Sequence, residues 1–316
     1  MEQQRTYLGW GLLPVGVVIV LLLNALGALP SGLVDLIGRA SPILLVLIGL
    51  ILLLRGRMPF GGIVALVLSV AIAGGVATYA YSSRANQART ENQIAFEQII
   101  DDSATLLVIN IDITQTDLTL RSRTDNQRAV SGLYIGSEDS ALATTLDTSA
   151  APTIEYTLVE EKSEQFPRLI AVGRGNITVD VPSNMAVALN IIVDDGLTTL
   201  SLGDLQLERL TLTIQRGDAA VNLPNYQPIS LNPSERPSEI SLQNGDLTLL
   251  VPNEIDVRVA FDRRGSGVAV QYDSLYIDQR DTVDGILRRE IETSDVRLYF
   301  DVLIPRGQLR LDVIQD

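Results

Sequence analysis

The sequence contains neither cysteine nor histidine in its 316 residues. The chain therefore forms no disulfide, no thiolate nucleophile and no zinc site built from Cys or His. The Ser-His and Cys-His mechanisms are excluded as well. Because a chain without cysteine tolerates either redox environment, this absence does not identify a compartment. We expect packing and strand pairing alone to hold the fold.

Positive charge is also scarce, since 24 Lys and Arg face 38 Asp and Glu for a net charge of −14. Residues 1–82 hold four arginines and two acidic residues, a net of +2, so the remainder carries −16. Nucleic-acid binding relies on neutralising phosphates with basic side chains, so this balance argues against a DNA or RNA partner. Anionic lipid headgroups should repel the acidic remainder, which we expect to stand off a membrane.

Long apolar runs fill the first 81 residues. Residues 8–29 and 60–81 carry no charge, and each is long enough to span a hydrocarbon layer of ~30 Å. Residues 33–54 give a further span, with Asp35 and Arg39 near the headgroups. A signal peptide is the alternative for the first run, but the run is too long and lacks a credible cleavage site. The sequence predicts a membrane region of three helices in residues 1–81, with the lipid bilayer as a partner.

Basic residues suggest an orientation for these spans. The two sides of the membrane carry equal numbers of basic residues. The positive amino terminus and the tight turn at Arg55 and Arg57 favour the side that holds the amino terminus as the more positive one. The positive-inside rule then places that side in the cytoplasm. With three spans, the C-terminal domain is predicted to be extracytoplasmic at a bacterial cell membrane.

The polar part of the chain changes its pattern near residue 101. Residues 82–100 contain good helix formers without Gly or Pro, which predicts a polar helical linker. In residues 101–316 the apolar period is two, the signature of strands, as in 255–262 and 309–313. Residues 283–291 are the one modest helix candidate. The sequence therefore predicts membrane α-helices followed by an all-β domain.

A strand–turn unit recurs within that domain. GNITVDVP (175–182), GDAAVNLP (217–224) and GDLTLLVP (245–252) share a Gly-Asp or Gly-Asn turn, a short strand and a closing proline, and YFDVLIP (299–305) lacks only the glycine. Glycine permits the tight turn, and proline ends the ladder because it has no N–H. The uneven spacing excludes a regular array. Repeated use of the unit predicts a β-solenoid, which stacks hydrophobic layers without disulfides.

Several short motifs resemble functional sites. Asp194-Asp195-Gly196 and Asp101-Asp102 offer oxygen ligands to Ca²⁺, but neither has the spaced ligand series of a known loop. Gly173-Arg174-Gly175 and Gly265-Ser266-Gly267 have a Gly-x-Gly spacing without the strand–helix context of a phosphate site. Arg216-Gly217-Asp218 spells an integrin tripeptide but coincides with the repeated turn. We interpret all of them as turns, and we predict no catalytic residue, cofactor or metal.

The stretch LLPVGVVIVLLLNALGALP, followed by SPILLVLIGLILLLRG, resembles the membrane region of LiaI/LiaF-type envelope-stress proteins. VINIDITQTDLTLRS (108–122) and the three glycine units look like the toast-rack, or putative adhesin, domain of LiaF-like proteins. The resemblance implies a non-enzymatic protein that senses or modulates an envelope-stress response by protein–protein contact, with a membrane histidine kinase as partner. The three predicted spans depart from the four common in that family.

Two further functions stay open at this point. A membrane-anchored, adhesin-like or self-assembling β module would use open strand edges for self-association. An envelope hydrolase with paired Asp or Glu would need a groove lined by carboxylates, and a lining of Leu and Val would argue against it.

Overall fold

The computed structural model describes residues 75, 84, 87–138, 140–162, 173–226, 228, 238–262, 269–280, 284–289 and 297–314. Except for Gly75, the predicted membrane region of residues 1–81 lies outside them. Within the described residues, no helix is both long and apolar enough to cross a bilayer. The chain divides into two compact units, and the β-rich unit comprises Ala88–Lys162 and Gly173–Asp316.

The β-rich unit contains nineteen strands in its described residues. They are β1 (Asn92–Ile99), β2 (Leu106–Ile113), β3 (Thr116–Ser122), β4 (Ala129–Gly136), β5 (Ser140–Asp147), β6 (Thr153–Lys162), β7 (Gly175–Val181), β8 (Ala186–Asp195), β9 (Thr198–Ser201), β10 (Gln206–Arg216), β11 (Ala219–Asn222), β12 (Ser238–Leu242), β13 (Leu247–Pro252), β14 (Asp256–Asp262), β15 (Ala269–Tyr272), β16 (Tyr276–Arg280), β17 (Asp284–Arg289), β18 (Arg297–Leu303) and β19 (Gln308–Ile314).

These strands form two mixed sheets. The nine-stranded sheet has the order β1-β4-β7-β3-β9-β11-β13-β19-β15, and the ten-stranded sheet has the order β16-β17-β14-β18-β12-β10-β8-β2-β6-β5. Alternate side chains of most strands point inward, as in β2, β7 and β13, and form one continuous apolar core. The prediction of an all-β domain is confirmed for the described residues.

Most of the unit is a stack of coils. A coil consists of one strand of the ten-stranded sheet and the next strand of the nine-stranded sheet. A tight turn of two to four residues joins the two strands in β2–β3, β8–β9, β10–β11, β12–β13 and β18–β19. The coils are β2–β3, β6–β7, β8–β9, β10–β11, β12–β13, β14–β15 and β18–β19, and neighbouring coils pair in parallel in both sheets. Parallel stacking of a repeated unit is the feature that the β-solenoid prediction rests on.

The coils do not stack in chain order. The coil β6–β7 lies outside β2–β3, and the coil β14–β15 lies outside β18–β19. Antiparallel strands complete the two ends: β1, β4 and β5 at one end, and β16 and β17 at the other. Both sheets are therefore mixed, whereas the repeat alone predicts parallel pairing.

Two helix predictions are wrong. The linker predicted to be helical over residues 82–100 contains strand β1, which pairs antiparallel with β4, so the β-rich unit begins before residue 101. Its half-buried Ile94 and Phe96 alternate with exposed residues, and Phe96 lies against Gly132 of β4. The helix candidate at 283–291 contains strand β17, which pairs with β14. In both segments sheet pairing outweighs local helix propensity.

Candidate functional site

A column of glycines marks the turn inside the coils. Gly196, Gly217, Gly245 and Gly307 occupy equivalent positions in successive coils, and the first three donate their N–H to the carbonyl just before the next glycine, at 3.0–3.1 Å. The last three have φ angles of +133°, +154° and +144°. A Cβ on any of these three would lie 1.9 Å from the carbonyl oxygen of the preceding glycine. Only glycine fits these positions. We call this column and its flanking residues the glycine edge.

The residue after the turn position adds a second link between coils. The Asp218 carboxylate accepts the N–H of Asp246 at 2.9 Å, and the Asp246 carboxylate accepts the N–H of Gln308 at 2.8 Å. Asp117, which follows Thr116 in the equivalent position, accepts the N–H of Leu197 at 2.8 Å. The aspartates of the repeated Gly-Asp turn therefore satisfy backbone donors of the next coil.

Arginines and aspartates of three sequence motifs meet at the glycine edge. The Arg174 guanidinium contacts Asp117 at 3.1 Å and Asp195 at 2.6 Å, and Arg216 contacts the other Asp195 oxygen at 3.4 Å. The Arg174 side chain is 18% exposed. Because this ion-pair network is partly buried, it is screened less than a surface pair. The network joins four coils, namely β6–β7, β2–β3, β8–β9 and β10–β11, and no local sequence pattern predicts that these motifs are neighbours.

The same contacts account for the motifs considered as functional sites. Both carboxylate oxygens of Asp195 face arginines, which compete with Ca²⁺. The carboxylate of Asp218, in the integrin-like tripeptide, is bonded to the next coil. Hydrogen bonds from the Ser103 hydroxyl and N–H lower the pKa of Asp101, which belongs to an exposed turn. The described residues include no group of three or more acidic side chains placed to hold a metal. Residues 265–267 lie outside the described residues.

The fourth copy of the repeated unit differs from the one predicted. Pro305 follows β18, a strand of the ten-stranded sheet, and so it precedes a turn glycine instead of closing a unit. The true counterpart is GQLRLDVI (307–314), in which Leu309 pairs in register with Leu247. It has Gln308 in place of Asp and no proline, so the residue pattern did not identify it. Gly196 was missed for the same reason, since Leu197 follows it.

A buried glutamate closes the turn between β2 and β3. Glu160 is 6% exposed, and one of its oxygens accepts the N–H groups of Thr114 and Gln115 at 2.8 and 2.9 Å. The Tyr134 hydroxyl donates to the other oxygen at 3.1 Å. Burial, together with the negative charge of Glu160, raises the pKa of Tyr134 to about 12. The carboxylate is thus surrounded by donors, which is the arrangement of a structural group.

A second buried glutamate lies at an irregularity of β10. Glu208 is 3% exposed and lies where the register between β10 and β8 shifts, between Leu207 and Arg209. It accepts the hydroxyl proton of Tyr226 at 2.8 Å. Burial and this hydrogen bond raise the pKa of Tyr226 to about 12. The bulge turns an acidic side chain inward, where the tyrosine stabilises it.

The interior between the sheets is apolar. In the part of the chain that the structure describes, the core consists of Leu, Val and Ile with a few Ala, Phe, Tyr and Met, and the buried carboxylates are Glu160 and Glu208. These two belong to different coils and each is bonded to its own tyrosine. In the described residues, these two buried carboxylates therefore do not form a pair with each other.

Comparisons with known proteins indicate a fold and no family. No family model matches the chain, and no curated protein sequence matches it. Among solved structures, it is similar to a putative cell adhesion protein from Clostridium sporogenes, with a TM-score of 0.56 and 13% identity over 71% of this chain and 100% of that one. A putative adhesin from Bacteroides fragilis aligns over 71% of this chain and 99% of that one, at 9% identity. Its TM-score of 0.20 does not indicate a shared fold.

At this identity the first similarity bears on fold alone. It agrees with the adhesin-type part of the resemblance found in the sequence and carries no feature specific to LiaF-like proteins. The described part of this chain is an all-β domain similar in fold to a bacterial protein named for cell adhesion.

Proposed function

We propose that this chain is a non-enzymatic, adhesin-like protein of the bacterial cell envelope, whose β domain works by contact with other macromolecules. The observation that carries the proposal is the coil stack, whose two sheets present outer faces of polar side chains in register. Thr178, Thr119 and Thr199 form one such row across the nine-stranded sheet. Rows of this kind offer an ordered, extended contact surface without a pocket.

The ten-stranded sheet has a comparable row that is held by side-chain hydrogen bonds. The Asn190 amide donates to the Asn110 side-chain oxygen at 2.8 Å, and the Asn110 amide donates to Glu155. Ordering these side chains before binding lowers the entropy that a partner must overcome. The similarity in fold to the Clostridium protein, which is named for cell adhesion, is consistent with such a role.

An attachment assay tests the adhesin-like role. Cells lacking the protein should attach less to surfaces or to other cells than cells that produce it. Thr199→Lys with Thr119→Lys changes the outer row without touching the core and should reduce attachment. Arg121→Gln, on the same face, serves as a matched surface control. If attachment is the same in all strains, the adhesin-like role is wrong.

The proposal includes a membrane location, with residues 1–81 as a multi-pass anchor and the β domain outside the cytoplasm. Because the chain has no native cysteine, Gly56→Cys and Thr199→Cys report the orientation when intact cells are treated with an impermeant thiol reagent. Labelling at residue 199 and protection at residue 56 are expected. Release of the protein by alkaline carbonate without detergent would contradict the anchor.

A second candidate function is modulation of an envelope-stress response through a membrane histidine kinase. The apolar runs of residues 8–29, 33–54 and 60–81 and the LiaF-like resemblance favour it. Crosslinking in intact membranes, followed by affinity purification of the chain, should recover such a kinase. If the kinase is recovered and cells with and without the protein attach equally well, this candidate is favoured over the adhesin-like role.

A further inference from the structure

The two sheet edges at one end of the stack differ from those at the other end. At the far end, β16 carries Asp278, and β15 is four residues long. The large apolar side chains of Tyr272, Leu275 and Ile277 at that end are 39%, 44% and 42% exposed. Short or charged edges resist pairing with another chain. At the near end, β5 is eight residues long and has no charge from Ser140 to Leu146. In the described residues β5 pairs with one strand, β6, along its whole length.

The near end also leaves its apolar layer incompletely covered. Ile94 and Phe96 of β1 and Leu146 of β5 pack against the core but remain half-exposed. The Asn92 amide of β1 donates to the Ser140 carbonyl of β5 at 2.6 Å, which ties the two edge strands together. One surface therefore combines an uncharged strand edge with half-exposed apolar side chains. We call it the β5 end.

We propose that the β5 end is a homodimer interface, in which β5 pairs antiparallel with β5 of a second copy across a two-fold axis. Two copies with a net charge of −14 repel each other, so close approach favours a surface without charge. A two-fold axis lets the same uncharged edge meet itself, and the ten-stranded sheets become continuous.

The side-chain pattern of β5 selects a register. Residues opposite each other in an antiparallel pair point to the same face of the sheet. Each residue of β5 must therefore lie opposite a residue of the second copy that faces the same side, so that even-numbered residues pair with even-numbered ones. Centring the pair on Thr144 places Leu142 opposite Leu146 of the second copy, on the core side. Asp147 then faces Ala141 of the second copy and not another acid. This register extends the apolar layer and avoids opposed charges.

Cysteine crosslinking in the full chain tests this register. Opposed Cβ atoms in such a pair are ~4.5–5.5 Å apart, close to the distance that a disulfide needs. Thr144→Cys should give a disulfide-linked dimer on mild oxidation, and the wild-type chain has no cysteine to interfere. Thr145→Cys is the matched control, because residue 145 faces Ala143 of the second copy and should crosslink far less.

Two variants with opposite charges at residue 144 distinguish a loss of dimerisation from a loss of folding. Thr144→Lys and Thr144→Glu each place like charges opposite one another, so each variant alone should have the mass of a monomer by light scattering. Mixing them should restore a dimer, which a merely misfolded variant would not do. A monomeric wild-type chain, growth beyond a dimer, or stronger crosslinking at residue 145 than at 144 would overturn the proposal. If the chain is monomeric and cells that produce it still attach, the dimer proposal is wrong and the adhesin-like role is unaffected.

Discussion

The Asp218 carboxylate accepts the backbone N–H of Asp246 at 2.9 Å, across the boundary between two coils. Both residues follow a turn glycine whose φ is positive, so the bond recurs wherever the Gly-Asp turn is repeated in adjacent coils. The glycine sets the path of the turn, and the aspartate satisfies the donor that the next turn exposes. The glycine edge therefore fixes the register of neighbouring coils at the turn as well as along the strands.

Gly217→Ala should destabilise the β domain by about 3 kcal/mol or more, because it combines an unfavourable φ with a clash against the Gly196 carbonyl. Urea unfolding followed by circular dichroism measures the loss. Gly203→Ala is the control, since a Cβ there meets nothing closer than 3.9 Å, and it should change stability by less than about 0.5 kcal/mol. Equal effects at the two positions would refute this account of the glycine column.

Asp246→Ala should lower stability by about 0.5–1.5 kcal/mol, because the exposed Gln308 N–H exchanges its carboxylate acceptor for water. Asp246→Asn keeps a side-chain oxygen at the same position and should recover most of that loss. The comparison of the two urea midpoints separates hydrogen bonding from charge. If the Asn variant is as unstable as the Ala variant, the charge of Asp246 matters more than its hydrogen bond.

Arg174→Gln should cost about 1–3 kcal/mol, since it leaves Asp117 and Asp195 without their shared cation in a partly buried place. The exposed pair between Arg121 and Asp180 provides a comparison, because the Arg121 side chain is 59% exposed. Arg121→Gln should cost less than about 1 kcal/mol. Thermal or urea unfolding of both variants tests the ranking, and a reversed order would contradict it.

The raised pKa of Tyr134 makes stability depend on pH in the alkaline range. The folded pKa of about 12 exceeds the usual value near 10, so the folded state holds this proton more tightly than the unfolded chain. The resulting stability is present below pH ~10 and is lost as the pH rises toward 12. Tyr134→Phe should be less stable than wild type at neutral pH, because Glu160 loses a donor. The difference between the two should shrink above pH 10 in urea unfolding, and a constant difference would argue against the linkage.

Much of the fold could be predicted from local patterns. Alternation of apolar residues identified the strands at 255–262 and 309–313, and the Gly-Asp turns at 217 and 245 marked two coils. These signals succeed because a strand buried on one face must alternate and a positive φ requires glycine. The three membrane spans lie outside the described residues and stay predictions.

The remaining features depend on contacts between distant parts of the chain. Strand β1 has helix-forming residues, and its pairing with β4 decides its conformation. The ion pairs of Arg174 join residues 57 and 21 positions away in sequence. The insertion of β3 between β7 and β9 has no local signature, because every strand of the repeat presents a similar apolar face. Local patterns specify units and leave their stacking order open.

The stacking order has a consequence for how this domain can change its length. An ordinary solenoid grows by duplicating a unit at either terminus. Here the last strand, β19, lies between β13 and β15, and β2–β3, the first coil in the chain, is enclosed by two others. A duplicated terminal unit would find no open neighbour, so extra coils can enter only through insertions in the middle of the chain. The number of coils in the stack is therefore fixed, because neither the first nor the last coil of the chain lies at an end of the stack.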